Sequence, residues 1–178
     1  MDKIRQGDEQ SFSLLYDRYA DKMMRYFYRM LGQNREKAED FTQDIFTKII
    51  EKPELFDSDK KFSTWIYAIA HNMCKNEYRR LEVRKNTVQE EPNPNRTKDL
   101  DGENFVDHMD RKTFVKMLEI ELALLDDKHR TTFLMRYQEE MSIKEISDAL
   151  GISEGTVKSR LFYTVRKLSE KLKIFDLN

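Results

Sequence analysis

The apolar residues of this chain recur at helical intervals, broken by short polar turns. Phe12, Leu15, Tyr16, Tyr19, Met23, Phe27 and Met30 follow one another at steps of three and four, the spacing that gathers side chains on one helix face. Asp8 stands where an N-cap would, and the pattern lapses at Gly32, so a first helix is expected between them. A second begins near Arg35 and carries Ala38, Phe41, Ile45 and Ile49. It must stop before Pro53, because the residue ahead of a proline is pushed out of helical geometry. After a polar loop from Pro53 to Lys61, Phe62, Trp65, Ile66, Ile69, Ala70 and Met73 mark a third helix, with Ser63 as its expected cap. Three such amphipathic helices can close around one small core.

The apolar period disappears from Asn86 to Asp110. Pro92-Asn93-Pro94 interrupts this stretch, and seven acids against two bases give it a net charge of -5. It predicts a flexible acidic linker. Beyond it Phe114, Leu118, Leu122 and Leu125 form another helix face, Asp126 can cap a helix carrying Phe133, Leu134 and Tyr137, and a further helix follows Ser142. The expected fold is therefore all-α: a helical domain over 1–85, a linker over 86–110 and a second helical domain over 111–178.

Composition supports that division. Charged residues make up 37% of the 178 residues and hydrophobic ones 39%, with only five glycines and three prolines, a balance that suits helices with solvated outer faces and argues against a β-sandwich. The net charge is -1, so any surface for nucleic acid must be local. The one cysteine, Cys74, has no partner for an internal disulfide, and no Cys/His set has the spacing of a zinc site. No apolar run approaches the roughly 20 residues of a membrane span, and Met1 to Gln10 is charged where a signal peptide is apolar. The expectation is a cytoplasmic protein with no membrane insertion, no metal and no other cofactor.

The most specific pattern lies near the C-terminus. Ser142-Ile143-Lys144-Glu145 reads as a capping box, in which serine and glutamate satisfy the free amides at a helix start. Gly151-Ile152-Ser153 then supplies a residue fit for left-handed backbone, an apolar residue and a new N-cap, the punctuation of a helix-turn-helix. In the helix that follows, Val157, Leu161, Thr164, Leu168 and Leu172 share one side. Ser159, Tyr163 and Arg166 lie opposite, and Thr156, Lys158 and Phe162 fall on the flanks. Glu154 to Lys173 carries six bases against two acids, the local basic surface that the whole-chain charge hides.

A second basic patch ends the third helix, where Lys75, Arg79, Arg80, Arg84 and Lys85 outweigh Glu77 and Glu82 by +3. Aromatic rings lie close by, and rings that stack on unpaired bases beside cations that follow phosphates suit single-stranded or melted DNA. Helical spacing assigns Phe62 and Trp65 mainly to the core. Phe56, in a polar loop, is the ring expected to be free for a base.

Three segments together resemble the extracytoplasmic-function (ECF, group four) sigma factors of bacterial RNA polymerase. Met141 to Leu161 resembles their second DNA-binding region, Ala38-Glu39-Asp40-Phe41-Thr42-Gln43-Asp44-Ile45-Phe46 their core-binding helix, and Phe62 to Asn72 their promoter-melting segment. The resemblance implies a sigma-two domain, a linker and a sigma-four domain. It also implies that Asp40, Gln43 and Asp44 dock on the β′ clamp helices of core polymerase and that the second domain meets the β flap. Phe56 and Asn72 would hold a flipped base of the minus-ten element, with Lys75, Asn76 and Arg79 along the adjoining strand. Thr156, Lys158, Ser159, Phe162 and Tyr163 would face the minus-thirty-five element, with Arg136, Arg160 and Arg166 on phosphates. An anti-sigma factor is the implied regulator. Two positions depart from the pattern: Glu140 stands where glycine is common, and Tyr163 where a basic residue is common.

Two other classes compete. A stand-alone helix-turn-helix regulator would bind duplex DNA without polymerase, but it leaves the acidic helix unexplained. A carboxylate-dependent nuclease would use Glu36, Glu39, Asp40 and Asp44, yet these spread along one helix face with no second acidic segment to converge on. The sequence therefore favours a binding protein over an enzyme.

Overall fold

The computed structural model of the chain describes residues 1–87 and 111–172. The linker expected over 86–110 lies, from residue 88 onward, outside the described residues, as does His108. Every regular element among the described residues is helical.

In the first domain a short α1 (Asp2–Arg5), not foreseen from the apolar spacing, precedes α2 (Glu9–Met30). The Asp8 carboxylate caps α2 by accepting from the Ser11 amide at 3.1 Å. Gly32 takes a left-handed φ of 71°, turning the chain into α3 (Arg35–Glu51), which Asn34 caps. A 3-10 turn at Pro53–Leu55 ends that helix as the proline requires. The third long helix, α4, spans Phe62–Thr87. Its first backbone bond runs from the Trp65 amide to the Lys61 carbonyl, so Ser63 lies inside the first turn and is not the cap expected of it. Met23, Phe27 and Met30 of α2, Ala38, Ile45 and Ile49 of α3, and Ile66, Ala70 and Met73 of α4 meet in the interior. Full burial of each larger side chain contributes about 1.5–3 kcal/mol, so these faces dictate how the helices pack.

The second domain comprises α5 (Arg111–Ala123), α6 (Asp127–Phe133), α7 (Ile143–Leu150) and α8 (Glu154–Lys171). Asp126 caps α6 by accepting from the His129 amide at 2.9 Å. The C-terminal end of α6 widens into a π-helical turn at Leu134–Gln138, which the sequence pattern does not reveal. Glu140 follows with φ of 55°, so the place where glycine is common does require left-handed backbone, here adopted by a glutamate. The capping box forms as read: the Ser142 hydroxyl accepts from the Glu145 amide at 3.2 Å, and the Glu145 carboxylate accepts from the Ser142 amide at 2.8 Å. Gly151 has φ of 63°, and Ser153 caps α8 through the Thr156 amide at 3.1 Å.

The domains pack against each other. α7 lies along α4, and α6 reaches α2. Buried residues of both domains form one continuous cluster.

Candidate polymerase and nucleic-acid interfaces

On α3, burial of Ala38, Thr42, Ile45 and Ile49 turns Asp40, Gln43 and Asp44 to solvent on one side. The expected core-binding trio therefore forms a single exposed face. Arg35 pairs with Glu39 on the flank at 2.8 Å and leaves the trio unengaged.

On α4, Asn72, Lys75, Asn76 and Arg79 are all exposed and follow one another at helical spacing, so they make a continuous stripe of amide and cationic groups. Behind it Met73 and Cys74 are buried, and burial pushes the Cys74 thiol up to about 12, which makes it an unreactive filler. Glu77, 5% exposed, is the residue that sequence reading missed, having counted it only as a charge. Lys37 of α3 donates to it at 2.9 Å and Arg80 at 2.8 Å. Burial works against its charge, but the hydrogen bonds from Arg80 and Lys37 prevail and hold the carboxyl below its ordinary range. This anchor fixes the acidic face of α3 relative to the stripe on α4. Nothing in the local pattern distinguishes Glu77 from a solvated acid, because its partner lies 40 residues away.

Phe56 corrects an expectation. Its ring is 8% exposed, set edge-on against Trp65 at 5.2 Å and Phe62 at 5.8 Å, rather than free in the loop. Three aromatic rings so placed exclude water from one another and override the polar character of the loop. Leu55, its neighbour, is the residue turned outward, at 63% exposed. The backbone carbonyl of Phe56 accepts from Arg5.

On α8 the apolar side sinks into the domain as read, leaving Lys158, Ser159, Phe162, Tyr163 and Arg166 exposed. The Phe162 and Tyr163 rings stand nearly perpendicular, 5.6 Å apart, at the outer surface. Thr156 is half-buried, with its hydroxyl against Ser153 at 2.9 Å, and so completes the cap of α8. Arg166 pairs with Glu170 at 3.0 Å, and Arg136 donates to the Met141 carbonyl at 2.9 Å, bracing the chain before the helix-turn-helix. Arg160 is half-buried and lies near His71 of α4. The structure thus gathers the expected residues into an acidic face and an amide-cationic stripe on the first domain, and a basic aromatic face on the second. Glu36, Glu39, Asp40 and Asp44 do not converge, and no cluster able to hold a metal ion occurs among the described residues.

Comparison with known proteins decides the family. Residues 15–84 match Sigma-70 region 2, and residues 122–170 match Sigma-70, region 4. The ECF RNA polymerase sigma factor SigW of Bacillus subtilis is 31% identical over 96% of this chain and 94% of its own length. The chain belongs to the ECF sigma factors. SigL of Mycobacterium tuberculosis, another ECF sigma factor, is 32% identical over 86% of this chain and 84% of its own length. Among solved structures, the sigma factor RpoE in complex with the anti-sigma factor NepR from Bartonella quintana superposes with a TM-score of 0.69 at 20% identity, covering 93% of this chain and 98% of that one. CnrH in complex with the cytosolic domain of CnrY gives 0.68 at 21% identity, covering 97% and 94%. These likenesses confirm the helical fold. As an ECF sigma factor the protein directs RNA polymerase to start transcription at promoters, and sigma factors do this as initiation factors rather than as enzymes. The stand-alone regulator is not favoured. No described helix of this sigma factor is long and apolar enough to cross a membrane.

Proposed function

We propose that this sigma factor divides promoter recognition between its two exposed surfaces while a third holds the polymerase. Asp40, Gln43 and Asp44 dock on the β′ clamp helices, where carboxylate and amide groups meet basic partners, and the second domain meets the β flap. The α4 stripe of Asn72, Lys75, Asn76 and Arg79 takes the minus-ten strand, the amides reading base edges and the cations following phosphates. Phe56 serves as a wall of that site through its packing on Trp65. Lys158, Ser159, Phe162 and Tyr163 face the minus-thirty-five element, with Arg136, Arg160 and Arg166 towards its phosphates. The observation that carries this reading is the α4 stripe, exposed along its length and anchored through Glu77 to the helix that would bind polymerase.

The names of the two elements place them about 25 base pairs apart, roughly 85 Å of duplex at about 3.4 Å per pair. In this structure α4 and α7 touch, so the domains must part before both elements are read together. An anti-sigma factor, the kind of partner present in the RpoE complex with NepR, is the proposed regulator, and the cytoplasm the proposed location.

In vitro transcription from a promoter library, with bacterial core polymerase plus or minus this protein, tests the proposal. Defined protein-dependent start sites are expected. Asp40→Ala with Gln43→Ala should weaken core binding by about tenfold or more, whereas Asn72→Ala should spare core binding and slow strand opening. If both variants alter only duplex affinity, the assignment of the first domain is wrong.

A further inference from the structure

We propose that Arg5 is a positioning residue for minus-ten readout: from outside the matched sigma region it grips the backbone of the loop that carries Phe56. The inference rests on the reading of the first domain as the minus-ten reader. The Sigma-70 region 2 match begins at residue 15, within α2, so α1 lies ahead of the matched residues. Ile4 is buried, at 8% exposed, and holds α1 against the rest of the domain. That anchorage aims the next side chain across 48 residues of sequence to the Pro53–Leu55 turn, where Arg5 Nε donates to the Pro53 carbonyl at 3.2 Å. Arg5 Nη2 donates to the Phe56 carbonyl, and Nη1 to Asp2 Oδ1 at 3.0 Å, so the planar fork is engaged on every side.

Apart from Arg5, the loop backbone is held by short-range bonds: the Leu55 amide to the Lys52 carbonyl at 3.1 Å, the Phe56 amide to the Pro53 carbonyl at 3.3 Å, the Lys60 amide to the Asp57 carbonyl at 3.0 Å and the Asp59 amide to the Asp57 carboxylate at 3.1 Å, with Lys61 at its far end paired to Glu145. Leu55 and Phe56 are adjacent yet face opposite ways, one in solvent and one against Trp65. Holding the carbonyls of residues 53 and 56 fixes the backbone between them, and so sets Phe56 inward on Phe62 and Trp65 and Leu55 outward, which shapes the wall assigned above to the minus-ten site. A lysine at position 5 carries a point charge and cannot span two carbonyls with fixed geometry.

The test uses the full chain with core polymerase and a promoter library randomised at the minus-ten element, comparing the parent with Arg5→Ala, Arg5→Lys and the exposed control Lys3→Ala. In Arg5→Ala the preference for the best over the worst minus-ten base should fall roughly three- to tenfold and strand opening should slow, while core affinity and minus-thirty-five preference hold. Arg5→Lys should lie between, and Lys3→Ala should match the parent. Unchanged minus-ten preference in Arg5→Ala overturns the proposal. So does a loss shared in proportion by core affinity and minus-thirty-five preference, which would make Arg5 a general prop of the fold. A parent chain with no minus-ten preference would instead sink the reading of the first domain on which the proposal rests.

Discussion

Met23, Phe27, Ile45, Ile49 and Ala70 close the first domain, and Ile146, Val157 and Leu168 the second, with faces that carry no polar atom to satisfy. The surface shared by the two domains is made differently. Among the described residues, five buried side-chain atoms have no hydrogen-bond partner: Tyr26 Oη, Arg29 Nε, Tyr67 Oη, His71 Nδ1 and Arg130 Nε. Each belongs to a side chain that faces the other domain. Tyr26 lies near Thr131 and Arg130, and Tyr67 near Glu139. Arg29 pairs with Glu119 at 3.3 Å, His71 lies near Arg160 and Asp127, and Arg130 reaches the Tyr78 hydroxyl at 3.5 Å. An unsatisfied buried group costs about 1–3 kcal/mol, which offsets part of the apolar burial there. Such groups regain water when the surfaces part. The interiors are therefore built to stay closed and the seam to be separable, which is what reading two distant promoter elements requires.

The sharpest contrast comes from paired substitutions. Phe27→Ala should destabilise the first domain by about 3–5 kcal/mol, because a fully buried ring is replaced by a cavity. Tyr67→Phe, at a side chain only 1% exposed, removes an orphan hydroxyl and keeps the ring; it should leave the domain as stable as before and favour the closed form by about 1 kcal/mol. Denaturant unfolding reads the first effect and small-angle scattering the second. A loss in Tyr67→Phe comparable to that in Phe27→Ala would erase the distinction between interior and seam.

The same division explains how much of the molecule was legible beforehand. Helices, caps and the helix-turn-helix follow from local rules, so Asp8, Asp126, Ser142 and Gly151 do what their positions in sequence announce. The exposed stripe of α4 and the outer face of α8 follow from period alone. What was hidden depends on residues far apart in sequence: Glu77 held by Lys37, Phe56 drawn under Trp65, Arg5 on the loop carbonyls, and the whole seam. Ser63 shows the limit even of local rules, since Lys61 precedes it as the residue whose carbonyl opens the helix.

A smaller effect tests the ionic part of the seam. Lys61 reaches across to Glu145 at 2.8 Å, and its hydrogen bond, with that of the Ser142 amide, holds the Glu145 carboxyl down to about 2. Lys61 is itself largely exposed, so water and salt screen the pair and its contribution is small. Lys61→Glu should set two carboxylates against each other and enlarge the radius of gyration, while the capping box of α7 and the helix content stay as they are. Raising the salt concentration should weaken closure in the parent and have less effect in the variant. An unchanged radius in Lys61→Glu would assign closure to the buried groups alone.

The smallest expected effect belongs to His71, and it carries a definite sign. Burial is the main cause that lowers its pKa; Lys75 on its own helix and Arg160 from α8 act in the same direction, and Asp127 from α6 opposes them. The closed form therefore prefers the neutral imidazole. Its contribution is fully present above the ordinary imidazole range near about 6.5 and is lost as pH falls through that range towards the lowered value, because the open form takes up the proton first. Fluorescence energy transfer between dyes on the two domains should report progressive opening as pH falls through and below the ordinary imidazole range. His71→Gln keeps a neutral polar group at every pH and should flatten that curve, leaving Glu145 to act only well below it. Superimposable curves for parent and variant would remove the imidazole from the seam's balance. They would leave the other orphan groups as the reason the domains part more readily than they unfold.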